Sequence, residues 1–206
     1  MNPISVRPAN SQREKHVFME FPWRIYRDDP LWVPPILPEV RSQLDPEKGA
    51  FFKRGEADFF IAWRGDEPVG TICAGEDFAT NKRRDLKECI FGFFECIEDE
   101  GVFKALIDEV ASWARARGLD TLFGPFNLDY ENGYGVLIEG RDRPPAVLCG
   151  HTPAYYQGLF ERNGFRKARG DNLAFEIPIN EESEERRKLS RFGDRMRQQG
   201  WVSVRG

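Results

Sequence analysis

The chain has 206 residues, enough for one well-buried domain and a tail. Its 40% hydrophobic and 31% charged residues are those of a folded globular protein, not of a disordered or fibrous one. A net charge of −4 with no basic stripe excludes nucleic acid and anionic membrane as expected partners. No apolar run reaches the roughly 20 residues that a membrane helix needs, and Met1-Asn2-Pro3-Ile4 opens no secretory segment, so a cytoplasmic protein is expected. Cys73, Cys89, Cys96 and Cys149 form no Cys-x-x-Cys pair and read as reduced, buried thiols. With only two histidines and no ligand spacing, no metal is expected.

In chain order, Ile4-Ser5-Val6-Arg7 alternates as a strand, and Val17 to Tyr26 reads as a helix. The four prolines between Asp29 and Pro38 predict an ordered loop anchored by aromatics, with no regular helix. Phe59 to Trp63 and Val69 to Ala74, joined by Arg64-Gly65-Asp66-Glu67-Pro68, predict a β-hairpin. Asn81-Lys82-Arg83-Arg84-Asp85 reads as a solvated loop, and Cys89 to Ile97 as a strand buried on both faces. Val102, Phe103, Leu106, Ile107, Val110, Trp113 and Ala114 recur at helical spacing before Gly118, and Leu119 to Pro125 gives a short strand. Strand, helix and strand in this order imply parallel neighbours and an α/β layer. A further strand is expected around Ala146 to Cys149. A helix then starts at Thr152-Pro153 and ends at Gly164-Phe165, before a last strand over Asn172 to Ile177. Residues 181–200 read as a charged connecting helix with a thin stripe of Leu189, Phe192 and Met196. Residues 201–206, which echo Ile4-Ser5-Val6-Arg7, read as the first strand of a second copy.

This order over residues 3–178 resembles the GNAT (N-acetyltransferase) superfamily. The stretches that carry the likeness are Cys89 to Gly118, the hairpin ending at Val69-Gly70, and Tyr155 to Phe165. Asp29-Pro30-Leu31-Trp32-Val33-Pro34-Pro35, Gly92-Phe93-Phe94-Glu95, Gly124-Pro125-Phe126-Asn127 and Pro153-Ala154-Tyr155-Tyr156 are similar to an uncharacterised bacterial acetyltransferase-like branch. The resemblance implies a mixed, twisted sheet flanked by helices over residues 1–180. It also implies acyl transfer from acetyl-CoA or another acyl-CoA to an amine. The cofactor would lie at the end of the central strand, along Phe94, Cys96 and Ile97, its pyrophosphate on the N–H groups of Gly101 and Val102. Two departures from the family pattern stand out. Glu98-Asp99-Glu100 places carboxylates where a pyrophosphate belongs, and Phe160 stands where the family often has a tyrosine acid.

Glu95 in its apolar strand is a candidate base or a paired strand-end carboxylate. His151 is a candidate base or a capping or exposed residue. Tyr155 and Tyr156 are candidates to assist a departing thiolate, or one packs while the other is exposed. Asn127, Tyr130, Asn132 and Tyr134 lie on a loop beyond a strand end and are candidate substrate ligands, or simply turn formers. A noncatalytic GNAT-like module that binds a ligand or protein is the alternative function. A second GNAT-like domain or a homodimer is the partner expectation.

Overall fold

In the computed structural model, the structure describes residues 2–130, 132–146, 149–168, 170–175 and 183–201. The chain divides into two units, Met1–Gly170 and Asp171–Gly206. The first holds a five-stranded sheet in the order β1 (Ile4–Pro8), β2 (Gly55–Arg64), β3 (Glu67–Asp77), β4 (Glu88–Cys96), β5 (Thr121–Phe123). Neighbours run antiparallel except β4 and β5, which are parallel as the intervening helix demands.

Alternation along β2 sends Phe60 and Ala62 to one face and Phe59 and Ile61 to the other. On the first face, α4 (Glu100–Ala116) buries Val102, Phe103, Leu106, Val110, Trp113 and Ala114, and α5 (Tyr155–Arg162) adds Tyr156, Leu159 and Phe160. On the second, α1 (Gln12–Ile25) contributes Phe18 and Met19 against Phe59, Ile61, Cys73 and Ile90. Each such large apolar side chain stabilises the fold by about 1.5–3 kcal/mol when fully buried. Ser11 and Glu14 close α1 with a capping box, and Gly164, at φ 83°, ends α5 so that Phe165 folds back on Phe160.

Several expectations are corrected. Asn81 to Arg84 belong to a helix, α3 (Phe78–Arg84), because the Asp77 side chain accepts from Thr80 N and the buried Asn81 amide donates to Glu88 O. Within the proline segment, α2 (Leu37–Gln43) begins, with Pro38 in its first turn, where a missing N–H is tolerated. Thr152 does not cap α5, since its hydroxyl accepts from Leu137 N at 2.8 Å. Cys149 is exposed, whereas the other three free cysteines are buried. Of the expected late strands, Ala146, Cys149 and Asn172 to Phe175 are in no strand. Val147, Leu148, Glu176, Ile177 and Val202 to Arg205 lie outside the described residues. In the second unit, α6 (Glu184–Gln198) is capped by the Ser183 side chain, which accepts from Arg186 N.

One irregularity positions the site. Cys73 pairs with Gly92 and Thr71 with Glu95, so Phe93 and Phe94 together oppose Ile72 in a β-bulge, with Phe93 at φ 44°. Strict alternation would place Glu95 on the face of Cys89 and Phe91. The extra residue puts Phe94 and Cys96 there and turns Glu95 toward the other side, where α1 ends.

Candidate active site

Glu95 is held by two tyrosines from distant elements. Tyr156, on α5, donates to Glu95 Oε2 at 2.7 Å and accepts from Cys96 N–H at 2.8 Å. Tyr26, just past α1, places its Oη 3.2 Å from Glu95 Oε1 and 3.0 Å from His151 O. Tyr26 has one proton to give, and both Glu95 Oε1 and His151 O stand within hydrogen-bond reach of it. Burial raises the Glu95 carboxyl to about 8, against the lesser lowering by the Tyr156 and Tyr26 hydroxyl donors. The Glu95 residue as a whole is half-buried, and its carboxyl is enclosed with the two tyrosine hydroxyls.

His151 adds a second proton-handling group. Its side chain is only 5% exposed and its Nε2 lies 2.6 Å from Asp29 Oδ2. The hydrogen bond with His151 holds the Asp29 carboxyl below the usual aspartate range. Asp29 thus accepts from Nε2–H, and Nδ1 is buried with no hydrogen-bond partner among the described residues. From the sequence alone Asp29, which opens the Asp29-to-Pro35 stretch, and Tyr26 have no role in the site, since they lie 122 and 69 residues from the groups they hold. Trp32 stacks on Tyr26 at 4.9 Å, so the aromatics of the proline segment serve this cluster by fixing its tyrosine.

The other expected residues fall into three places. Tyr155 joins the cluster's edge by donating to Cys96 O at 2.6 Å, and burial pushes both Tyr155 and Tyr156 above the ordinary phenol range. Phe94 packs among Phe103, Tyr156 and Phe160, and Ile97 N–H donates to Val69 O. Phe160 itself lies in this aromatic core and carries no proton. Gly101 and Val102 N–H both donate to Asp99 Oδ1, at 2.8 and 3.1 Å, while Arg64 pairs with Asp99 Oδ2 at 2.6 Å. The usual anion-binding groups of this helix start are therefore filled by the chain's own carboxylate, and they do not fit a pyrophosphate.

Asn127, Asn132, Tyr130 and Tyr134 brace their loop. Asn127 Oδ1 accepts from Phe93 N–H at the bulge, and Asn132 donates to Asn127 O and accepts from Gln43. Tyr130 is 57% exposed and its ring lies 4.9 Å from Phe126, which Tyr134 also flanks. A cavity of about 110 Å³ lies between Asn127, Asn132, Gln43 and Phe51, apart from the Glu95 cluster. Among the described residues no group of three or more His, Cys, Asp or Glu could hold a metal ion. No helix among them is long and apolar enough to cross a membrane.

No family model matches the chain. It is 36% identical over 166 residues, 80% of its length, to a protein named bacterial ceramide synthase from Caulobacter vibrioides, and covers 43% of that protein. It is 31% identical over 167 residues, 79% of its length, to Protein YghO from Escherichia coli, of which it covers 41%. The chain thus spans about two fifths of the length of the curated relatives it matches. Among solved structures, it resembles a protein described as a predicted acetyltransferase with acetyl-CoA from Clostridium acetobutylicum. The TM-score is 0.51 and the identity 10%, over 84% of this chain and 96% of the other. With its mixed sheet, its crossover helix between β4 and β5 and this structural match, the chain has a GNAT-like fold.

Proposed function

We propose that this GNAT-like fold takes part in N-acyl transfer. It joins the acyl group of a thioester donor, acetyl-CoA or another acyl-CoA in the first instance, to the amine of a small acceptor. The observation that carries the reading is the Glu95 carboxyl, raised to about 8 and held between Tyr26 and Tyr156. A base with a pKa near the working pH is suited to take the proton an amine sheds as it forms an amide. His151, held by Asp29 through Nε2, stands beside Tyr26 as a second proton-handling group. The hydroxyl protons of Tyr155 and Tyr156 are engaged by Cys96 O and Glu95, so proton delivery to a departing thiolate falls to water or to protonated Glu95.

The relative named bacterial ceramide synthase supports the acceptor class, since a ceramide is the amide of a long-chain amino alcohol. The test is incubation of the purified protein with an acyl-CoA and a long-chain amino alcohol, with mass spectrometry for the amide. Wild type is expected to form it, with a rate that climbs through about pH 8, and Glu95→Gln to lose about 100-fold or more while keeping its circular dichroism. A second reading, a noncatalytic ligand- or partner-binding module, is favoured by Asp99 at the start of α4 and by Phe160 in the core. Absence of amide from every acyl donor tried would select it.

A further inference from the structure

We propose that Asp99 is an internal anion that keeps the diphosphate of CoA off the start of α4, so that any acyl donor is recognised here without its nucleotide part. This rests on the acyl-transfer reading only for the donor's identity. The exclusion itself is a property of the chain.

Three observations meet at one point. The two N–H groups at the first turn of α4, Gly101 and Val102, converge on Asp99 Oδ1. The other oxygen, Oδ2, is taken by Arg64 at the end of β2, a cation that a phosphate would otherwise recruit. The hydrogen bond from Arg64, followed by those from Val102 and Gly101, holds the Asp99 carboxyl below the usual aspartate range, so it is charged at neutral pH. A helix start offers an anion its N–H groups and its dipole once. Here a carboxylate tethered one residue upstream uses both, at an effective concentration that a free ligand cannot match.

The consequence is a specificity. CoA and pantetheine, which differ by the nucleotide and its diphosphate, should bind the wild-type chain within about threefold of each other. Replacing Asp99 with glycine, which an N-cap tolerates, should free two N–H groups and one guanidinium together.

The experiment is a titration of the ¹⁵N-labelled protein with CoA and with pantetheine, following the Gly101 and Val102 amides. In wild type these amides should stay unmoved by CoA. Asp99→Gly should bind CoA at least tenfold more tightly than wild type, with both amides shifting, and adding Arg64→Met should remove most of that gain. Should the glycine variant lose its fold by circular dichroism, Asp99→Asn removes the charge while keeping a cap acceptor, and it should show a smaller gain in the same direction. Wild-type amides that shift with CoA, or folded variants that gain nothing, overturn the proposal. Binding is read here without turnover, so a failed amide assay and a failed exclusion are separate results.

Discussion

Glu95 and Asp99 lie four residues apart, yet the chain treats their carboxyls in opposite ways. Among the described residues Glu95 is bonded by the neutral hydroxyls of Tyr26 and Tyr156, and its pKa rises to about 8. Asp99 meets Arg64 and two helix N–H groups at a partly open turn, and its pKa falls. Desolvation wins where the partners are neutral, and charge with N–H donors wins where they are not. The pair therefore divides the end of β4 into an end that titrates near neutral pH and one that is anionic there, and chemistry that needs a proton acceptor near neutral pH belongs to the first.

The largest expected break in this contrast is Glu95→Gln. An acid raised in the folded state binds its proton there more firmly than in the unfolded chain. Its stability contribution is thus complete below the unfolded value near 4.5 and is lost as pH rises through about 8. The shift corresponds to as much as about 5 kcal/mol. Urea unfolding of wild type should weaken from pH 5 to pH 8.5, and the glutamine variant, which cannot ionise, should hold nearly level over that range. Parallel pH curves for the two proteins would show that Glu95 is not raised.

How much of this was legible in the sequence follows from what each feature depends on. The hairpin, the long helix α4 and the Gly164-Phe165 turn follow from local periodicity and from φ > 0 at Gly164, and they are where the pattern puts them. Glu95 stood out because a carboxyl in an apolar strand needs an explanation. Its orientation did not, because it depends on a bulge at a phenylalanine with φ 44°, a conformation that no side-chain pattern announces. Asp29 and Tyr26 were hidden by distance, and α3 by a charged surface that reads as loop until Asp77 caps it. The acidic run Glu98-Asp99-Glu100 was visible as an obstacle to phosphate. That one of its members would itself occupy the helix start needed Arg64, from the far side of a hairpin, to be placed.

A smaller effect is expected from Tyr156→Phe, which sharpens the contrast rather than removing it. The change deletes a donor to Glu95 and strands Cys96 N–H in the interior. A buried group left unpaired costs about 1–3 kcal/mol, so denaturant unfolding near pH 6 should show a loss in that range. Because the tyrosine hydrogen bond lowers the Glu95 pKa, its removal should carry the carboxyl above about 8, measurable by carbon NMR of the labelled glutamate. An unchanged titration would mean that the 2.7 Å contact does not bear on the carboxyl's charge.

The smallest effect belongs to Arg64→Met at the anionic end. The side chains of Arg64 and Asp99 are 25% and 30% exposed, so solvent screens their pair and its loss should cost roughly 0.5–1 kcal/mol at neutral pH. Asp99 has a lowered pKa, so the stability it contributes is present above the unfolded value near 3.8 and disappears as pH falls through its folded value. The difference between wild type and Arg64→Met should therefore shrink on acidification. That is opposite to Glu95, whose difference from glutamine grows as pH rises from 5 to 8. Salt should act the same way, since raising ionic strength from 0.1 M to about 1 M shortens the screening length from about 10 Å to about 3 Å. A difference that survives both acid and salt would mean that Arg64 acts through packing and not through its charge. Asp99 would then hold the α4 start on the strength of its two N–H contacts alone.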